Sequence, residues 1–296
     1  MVRVTSAAAF LLLVLGVLAI GVGGCRGAAS DPTPRPAVTV ATLNLMNQAA
    51  DWPARRARIA RELGPLAADV IAFQEVLDVE GAVRQTDWLR SLPGTCRFDP
   101  MIVYEGKAPF GLAVVSRLPI AAGSAVPLPS TDDDPRLLQR VLLETPTGPL
   151  LVANTHLSPG KDAAALRRAQ AEAIAAALPI GGPTVLLGDF NAPWGAPELD
   201  PLRERFHDAW TAAGRDPSIP TRDPTNPLAA GTVATAARID LVLVEGFDAK
   251  PRTARRFADR PDDAGTWPSD HAGVAVRLVL PDAQSQIVIE SPPEWE

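Results

Sequence analysis

Polar residues recur in this sequence directly at the ends of short apolar runs. The places are Asn44, Gln74-Glu75, His156, Asp189-Phe190-Asn191, Arg238-Ile239-Asp240 and Ser269-Asp270-His271. The apolar runs beside them have the length of strands, such as VTVATL before Asn44 and TVLLG before Asp189. Ligands of domains that contain sheets tend to bind beyond the strand ends, so we expect these side chains to converge on one crevice.

The rest of the pattern predicts a mixed α and β domain. Strands are expected at 38–44, 70–74, 102–104, 112–116, 138–144, 150–155, 184–188, 238–244 and 272–280. Helices are expected at 54–63, 83–92, 162–178 and 202–206, and Asp162 is the expected N-cap of the third. Because strands and helices do not alternate strictly, the fold class is α+β, or two sheets with helices outside.

The N-terminus has the pattern of a bacterial lipoprotein. Arg3 precedes an apolar run at 7–20, and the segment VGGC places Cys25 directly after small residues. We expect a signal peptide at 1–24, a Pro-rich tether at 25–36, a domain at 37–281 and a polar tail at 282–296. Lipidation of Cys25 would anchor the protein outside the cytoplasm, on the bacterial cell membrane. An ordinary signal peptide or an uncleaved anchor is the alternative.

Charge and cysteine content narrow the function classes. The formal net charge of −6 argues against non-specific attraction of the whole surface to nucleic acid. The arginines of ARRARIARE, in the helix at 54–63, are expected to form its solvent-exposed face. If Cys25 is acylated, Cys96 has no partner, so no disulfide framework is expected.

The residue types at the strand ends are consistent with metal-assisted chemistry. Glu75 and Asp270 are hard oxygen ligands of the kind that Mg²⁺ prefers, and no Cys/His cluster has zinc spacing. Asp189 and Asn191 lie at i and i+2, so in extended backbone both point to one face. His156 and His271 can donate to developing negative charge or accept a proton.

Each residue also has a simpler interpretation. Asp240 is about as well explained by an ion pair with Arg238 on an exposed strand face. Asp189 and Asn191 fit an Asx turn that ends a strand. His156 could be a core histidine bonded to backbone, and Arg140 could either reach a substrate phosphate or be solvated.

Taken together, seven fragments resemble the endonuclease/exonuclease/phosphatase superfamily, which includes secreted deoxyribonucleases, abasic endonucleases and sphingomyelinases. In chain order they are TLNLM, IAFQEV, GLAVVSRLPI, NTHL, LLGDFNAP, RIDLVLV and SDHAGV. The resemblance covers about residues 38 to 280, and its QE, GDFN and SDH elements are the specific ones. It implies a four-layer α/β/β/α sandwich of two mixed sheets flanked by helices, with the site at one rim.

The resemblance also implies a metal site. Glu75 corresponds to the principal Mg²⁺ ligand, with Asn44 and Asp270 beside it. Mg²⁺ is therefore the expected cofactor, with Mn²⁺ or Ca²⁺ as alternatives.

Catalytic roles follow from the resemblance in the same way. Asp240 would orient His271, and this pair would act on the attacking water or stabilise the transition state. Asp189 is the rival base, and the resemblance leaves that choice open. His156 and Asn191 would bind the phosphoryl oxygens.

The expected function is metal-dependent hydrolysis of a phosphate ester, with a nuclease-type phosphodiesterase slightly favoured. A phospholipid or small-molecule phosphoesterase of the same superfamily is the alternative, and a non-catalytic envelope binding lipoprotein is the third possibility. The chain departs from secreted deoxyribonucleases by lacking disulfides, and from sphingomyelinases by lacking an apolar aromatic cluster. The expected partners are the phosphate-ester substrate, with nucleic acid as one candidate, and a membrane through the lipid anchor only. No protein partner is predicted.

Overall fold

The structure is a computed structural model that describes residues 35–77, 84–92, 101–104, 110–232, 234–248 and 250–282. The predicted signal peptide, Cys25 and Cys96 lie outside the described residues, as do most of the predicted tether and tail. Within the described ranges, no helix combines the length and the apolar character that crossing a membrane requires.

Two six-stranded mixed sheets form the centre of the domain. In chain order the strands are β1 (Ala37–Asn44), β2 (Val70–Leu77), β3 (Met101–Tyr104), β4 (Phe110–Ser116), β5 (Ile120–Thr131), β6 (Asp134–Thr145), β7 (Gly148–His156), β8 (Thr184–Asp189), β9 (His207–Asp208), β10 (Asp240–Glu245), β11 (Thr253–Phe257) and β12 (Gly273–Val279). The first sheet has the order β11-β12-β1-β2-β4-β3, and the second has the order β5-β6-β7-β8-β10-β9. The pairs β1·β2 and β7·β8 are parallel, which makes both sheets mixed.

Four of the five helices in the described residues cover the outer faces of the sheets, and the fifth instead contributes Ala209 and Trp210 to the buried cluster between the sheets. The helices are α1 (Trp52–Leu66), α2 (Gln85–Arg90), α3 (Ala164–Ala177), α4 (Asp200–Arg203) and α5 (Ala209–Ala212), with short 3-10 turns at Lys161–Ala163 and Pro197–Leu199. Ile59 and Leu63 of α1 pack in one buried cluster with Leu43 of the first sheet. Ile174 of α3 packs in another with Leu151 of the second sheet.

A third buried cluster fills the space between the sheets. Successive side chains of a strand point to opposite faces, so Val38 and Val40 of β1 face inward while Leu43 faces α1. Val185 and Leu187 of β8 belong to the same inner cluster as Val38 and Val40. The layers are therefore helix, sheet, sheet and helix, which confirms the predicted four-layer α+β sandwich.

Every predicted strand and helix corresponds to one observed in the described residues, but three strands were missed, of which β9 (His207–Asp208) has only two residues. Both β5 and β11 lie at the edge of a sheet. β5 contains Pro127 and Pro129, and β11 contains Arg255 and Arg256. An edge strand forms backbone hydrogen bonds to a neighbour on one side only, so it tolerates proline and charged residues. For this reason neither segment shows the continuous apolar run of a central strand.

Two predictions about helices were wrong. Asp162 does not cap α3, because a 3-10 turn precedes the helix and its N-cap position is Ala163, which makes no side-chain capping bond. The arginines of α1 do not all face solvent, since Arg55 is 2% exposed. Its guanidinium donates from NH1 to the backbone oxygen of Leu45 at 2.9 Å and lies 5.4 Å from the ring centre of Trp52.

Gly188 is required where β7 and β8 approach each other. Its φ is +142°, and a Cβ atom there would lie 2.0 Å from the backbone oxygen of Thr155. We expect Gly188→Ala to lower the free energy of unfolding by about 3 kcal/mol, because backbone on the neighbouring strand must move. Denaturant unfolding measures this. The control is Gly195→Ala, where a Cβ meets nothing within 4 Å, and equal stability of the two variants would contradict the expectation.

Candidate active site

Three neighbouring strands of the second sheet bring three predicted residues to one edge. His156 at the end of β7 pairs with Asp189 at the end of β8, and Asp240 at the start of β10 pairs with Asp189 from the other side. Asp189 follows Val185 and Leu187 at intervals of two, so it shares their inner face. The three side chains therefore lie side by side at one end of the space between the sheets.

A hydrogen-bonded bridge joins the two sheets at this edge. Asn44, at the end of β1, donates from Nδ2 to Oδ2 of Asp189 at 3.1 Å and to Oε1 of Glu75 at 3.1 Å. Asn44 is 1% exposed, so these bonds are shielded from solvent. One amide thus connects a carboxylate of the first sheet with a carboxylate of the second.

Two imidazoles surround the same oxygen of Asp189. Nε2 of His156 lies 3.4 Å from Oδ2 of Asp189, and Nε2 of His271 lies 3.7 Å from it. Nδ1 of His271 lies 2.8 Å from Oδ2 of Asp240. All four side chains are buried. The predicted pairing of Asp240 with His271 is present in the structure.

The surroundings give these groups different charge states. Burial lowers the pKa of His271, but the carboxylates of Asp240 and Asp189 outweigh this effect and raise the pKa to about 10. Burial raises the pKa of Asp189 to about 6, with His271 opposing it. Burial and the charges of Arg136 and His271 hold the pKa of His156 well below its ordinary value. At neutral pH, His271 is therefore charged, His156 is neutral and Asp189 is mainly ionised.

Glu75 is held in a backbone conformation that few residues other than glycine adopt. Its φ is +53°, and it lies where a β-bulge shifts the pairing between Phe73 and Val76. Asn44 donates to its Oε1, and Asn47 donates from Nδ2 to its Oε2 at 3.1 Å. A bulge re-aims a side chain, and here the carboxylate is half-buried beside Asn44. Asn47 was not predicted, because a single asparagine in a loop gives no signal.

Asp270 is tied to the same edge through its neighbours. Oγ of Ser269 donates to the backbone oxygen of Asn44 at 2.7 Å, which places the loop of Asp270 against the end of β1. Oδ2 of Asp270 accepts from NH2 of Arg222 at 2.9 Å. Arg222 was not predicted, since it lies outside all the recognisable motifs.

The buried Arg55 compensates part of the negative charge at this edge. Burial lowers its pKa to about 10, and the carboxylates of Asp270 and Glu75 oppose that decrease. The guanidinium stays charged at neutral pH, and it donates a hydrogen bond to the backbone oxygen of Leu45.

Asn191 combines the two interpretations that its sequence allowed. Its backbone N–H donates to Oδ1 of Asp189 at 2.9 Å, which is an Asx turn, and its φ is +48°. Its Nδ2 donates to the backbone oxygen of Leu157 at 2.8 Å. The Asx turn is present, and the residue nevertheless lies directly beside Asp189.

Arg140 is not brought together with the other predicted residues. On β6 it lies two residues from Leu138, which faces α3, so its side chain extends to the helix side of the sheet. Its NH1 donates to the backbone oxygen of Ala177 at 2.8 Å, and its Nε donates to Oγ of Ser124 at 3.1 Å. The expectation that Arg140 reaches a substrate phosphate is therefore corrected, because the alternation of the strand points it away from the crevice.

The alternative pairing of Asp240 with Arg238 is also wrong. Arg238 donates from NH2 to Oδ2 of Asp208 at 2.7 Å, and both residues are buried. Arg238 and Asp240 are two residues apart, and only Asp240 belongs to β10. The backbone N–H of Asp240 donates to Oγ1 of Thr221 at 3.1 Å.

The donor set fits a divalent cation. Ligand atoms of Asp189, Asp240 and His271 lie within 4.8 Å of one another, and Nδ1 of His271 is already engaged by Oδ2 of Asp240 at 2.8 Å. Glu75, Asp270 and Asn44 supply the oxygen donors that Mg²⁺ prefers. Glu75 is also the more accessible carboxylate, being half-buried where Asp189 and Asp240 are fully buried.

The sequence is similar to one family over most of its length. A family model described as "Endonuclease/Exonuclease/phosphatase family" matches residues 41–271. No curated protein matches the sequence.

Several solved structures have a similar fold. Truncated TDP2 of Caenorhabditis elegans aligns with a TM-score of 0.66 at 20% identity, covering 82% of this chain and 98% of that one. An endonuclease/exonuclease/phosphatase from Beutenbergia cavernae aligns with 0.65 at 24% identity, covering 84% and 73%. TDP2 of D. rerio, complexed with a single-strand DNA product, aligns with 0.68 at 15% identity, covering 81% and 98%. At these identities the likeness shows the fold.

The charge state of His271 depends on Asp240, which gives a direct test. Asp240→Asn should lower the pKa of His271 from about 10, because a neutral amide no longer favours the imidazolium while burial still disfavours it. An NMR pH titration of the imidazole, with EDTA present, measures the change, and the exposed His207 serves as the internal reference. The matched variant Asp248→Asn, at the surface pair with Arg35, should leave His271 as it was. A pKa still near 10 in Asp240→Asn would contradict the assignment.

Proposed function

Because this chain belongs to the endonuclease/exonuclease/phosphatase family, we propose that it is a metal-dependent hydrolase of phosphate esters, with a phosphodiester of the nuclease type as its substrate. The observation that carries the proposal is the bridge from Glu75 through Asn44 to Asp189. It places an accessible carboxylate beside a proton-handling cluster, with two imidazoles within 3.7 Å of one Asp189 oxygen. Hydrolysis of a phosphate ester needs both parts side by side.

Glu75, Asn44 and Asp270 would hold the divalent cation. Mg²⁺ is the best candidate because all three offer oxygen donors, and Mn²⁺ or Ca²⁺ would suit the same donors. When bound, the cation supplies charge that offsets the negative phosphoryl oxygens. Oδ1 of Asn44 accepts a hydrogen bond from the backbone N–H of Met46 at 2.9 Å, and this bond sets the orientation of the amide.

Asp189 is the residue best suited to accept the proton of the attacking water. Its pKa is raised to about 6, so at neutral pH it is ionised and yet more basic than an ordinary aspartate. His271 is charged and cannot accept a proton at neutral pH, so it donates instead to the developing charge on phosphorus-bound oxygen. Asp240 keeps His271 in that state. We therefore propose Asp189 as the base, where the sequence left the choice open.

His156 and Asn191 line the same edge and would contact the phosphoryl group. The neutral His156 can donate one hydrogen bond without adding a full charge. Asn191 donates one N–H of its Nδ2 to the backbone oxygen of Leu157, which leaves the second N–H of the amide for a phosphoryl oxygen. The attack of water would be in line with the leaving oxygen, as in other phosphoryl transfers.

The phosphodiester preference is supported by a fold neighbour. The D. rerio TDP2 structure is complexed with a single-strand DNA product, and TDP2 of two species is among the similar folds. A cavity of about 190 Å³ adjoins Asp270 and is lined by Trp267 and Arg256, among others. It offers space for one ring beside the scissile phosphate. Phospholipids and small phosphate esters are the competing substrates.

A substrate panel with and without EDTA tests the function. Purified protein lacking residues 1–25 should hydrolyse one of DNA, RNA, sphingomyelin or an inositol phosphate with Mg²⁺, and EDTA should abolish the reaction. Glu75→Gln and His271→Ala should each lower kcat/KM by about 10³-fold or more, because each removes charge from the reacting centre.

Arg140→Gln is the control for these variants, since its guanidinium bonds α3 and not the site. It should keep activity within about threefold of the wild type. Folding is checked by circular dichroism. Full activity of the Glu75→Gln and His271→Ala double variant, or no metal-dependent hydrolysis of any substrate, would reject the proposal.

The pH dependence of kcat should be bell-shaped. Activity should rise through pH 6 as Asp189 loses its proton, and it should fall through pH 10 as His271 loses the proton it donates. Asp240→Asn should move both limbs to lower pH, because the charge of Asp240 raises the pKa of His271 and of Asp189. Stopped assays across pH 4.5 to 11 measure both limbs. An acid limb that keeps its midpoint in the residual activity of Asp189→Asn would contradict the assignment of Asp189.

We also propose that Cys25 is lipidated and that the protein is held on the outer side of the bacterial cell membrane. The apolar run, the small residues and the position of Cys25 support this. Mass spectrometry of the mature N-terminus tests it, and an unmodified Cys25 would reject it.

A further inference from the structure

The backbone of Arg222 is fixed beside the site. It lies in the loop between α5 and β10, and it forms bridges to Ala237 on one side and to His271 on the other. Its N–H donates to the backbone oxygen of Ala237 at 3.0 Å, and its own oxygen accepts from Ala237 at 2.9 Å. Next to it, Thr221 accepts from the backbone of Ala272 at 2.7 Å. The backbone position of Arg222 is therefore set between the segment of Ala237, just before β10, and the segment of His271, just before β12.

The side chain of Arg222 is largely buried and only partly hydrogen-bonded. NH2 donates to Oδ2 of Asp270 at 2.9 Å and to Oγ1 of Thr232 at 3.2 Å. Nε is buried and has no hydrogen-bond partner among the described residues. The side chain is 20% exposed. A guanidinium offers five N–H donors, so Arg222 retains donors for a further acceptor.

The charge of Arg222 reaches both halves of the site. It bonds Asp270, which belongs with the first sheet, and its charge contributes to the lowered pKa of His156, which belongs to the second. His156 is one of the groups placed against the phosphoryl oxygens. A cation near His156 is thus also near the place of a phosphoryl group.

Arg222 and a divalent cation would compete for one oxygen. Both carry positive charge, and two cations on Oδ2 of Asp270 would repel each other strongly in a buried site. The planar fork of a guanidinium matches the geometry of a phosphate. Arg222 is outside the seven fragments that carry the family likeness, so nothing in that likeness assigns it a role.

We propose that Arg222 is a phosphate-binding residue that a divalent cation displaces from Asp270, and that the released guanidinium then holds a non-bridging oxygen of the substrate phosphoryl group. The inference rests on the proposed function, and within it on Asp270 as a metal ligand. Metal binding and phosphate binding are then coupled through one side chain. Removing the Arg222 side chain should strengthen metal binding and weaken phosphate binding.

Isothermal titration with Mn²⁺ measures the first effect and needs no turnover. Arg222→Gln should bind Mn²⁺ about tenfold more tightly than the wild type, because the competing cation is gone. With saturating Mn²⁺, inorganic phosphate should bind Arg222→Gln about tenfold more weakly, since its guanidinium partner is missing. The opposite signs distinguish displacement from a purely structural role, which would weaken both.

Two variants serve as controls. Arg222→Lys keeps the positive charge but loses the planar guanidinium. Its Mn²⁺ affinity should therefore stay near that of the wild type, while its phosphate affinity should fall. Arg205→Gln removes a comparably buried pair, with Glu245 at the opposite end of β10, and should change neither affinity. Arg222→Lys also keeps the test decisive if Arg222→Gln does not fold.

The outcomes separate this inference from the proposed function. Unchanged or weaker Mn²⁺ binding by a folded Arg222→Gln, with Mn²⁺ binding by the wild type intact, would overturn the displacement and leave the hydrolase standing. Phosphate affinity unchanged in both Arg222 variants would overturn the binding role. If the wild type itself binds no Mn²⁺ and Glu75→Gln behaves identically, the metal site fails and the displacement fails with it.

Discussion

The space between the two sheets is apolar for most of its length and polar at one end, and the buried polar end must satisfy its own hydrogen bonds. Gln74 donates from Nε2 to Oδ1 of Asn154 at 2.7 Å and to Oγ1 of Thr42 at 3.0 Å. Asn154 donates in turn to Oε1 of Gln139 at 3.1 Å and to the backbone oxygen of Phe73 at 3.0 Å. An unpaired buried amide costs about 1–3 kcal/mol, so this network opposes any sliding of one sheet over the other. The residues of the proposed site lie next to this network, at the strand ends, and their mutual distances depend on the alignment of the sheets.

Strained backbone at the strand ends directs the side chains of the site. Glu75 at φ +53° and Asn191 at φ +48° both adopt the left-handed region, and Gly188 allows β8 to approach β7 without a Cβ. A regular strand would alternate these side chains between the faces, which would point Glu75 toward α1. Such strain persists only where the surroundings over-determine it, and it is typical of functional sites. Here the bulge and the Asn44 bridge together hold Glu75 at the edge.

The surroundings of the buried charged groups give them different pKa values. His271 and Asp189 lie 3.7 Å apart, yet burial and neighbouring carboxylates raise the pKa of one to about 10 and of the other to about 6. Titratable groups whose surroundings push their pKa values apart are a general mark of an acid and a base in one site. Arg55 of α1 and Arg222 of the loop before β10 supply positive charge at this edge. Since Arg55 is held by backbone oxygens of a loop and Arg222 by a carboxylate, only Arg222 has a partner that another cation could replace.

The sequence by itself determined the mixed α and β character of the fold and the positions along the chain at which the proposed site residues lie. Apolar periodicity records which residues are buried, and that pattern is local, so the strand ends with Asn44, His156, Asp189 and Asp240 were evident without coordinates. The edge strands β5 and β11 were not, because they lack a second neighbour and so carry no strong pattern.

Only the tertiary structure decided which side chains meet. Arg140 and His156 lie on neighbouring strands, and the sequence offered both as residues that bind the phosphate. Because side chains alternate between the two faces of a strand, Arg140 points to α3 and His156 points to the crevice. Arg238 pairs with Asp208 and leaves Asp240 to His271, although Arg238 is nearer in sequence. Arg55, Arg222 and Asn47 became visible only as partners of groups far away in the chain. A pairwise contact depends on register, on face and on what else competes for the same partner, and none of these is a property of a residue and its sequence neighbours alone.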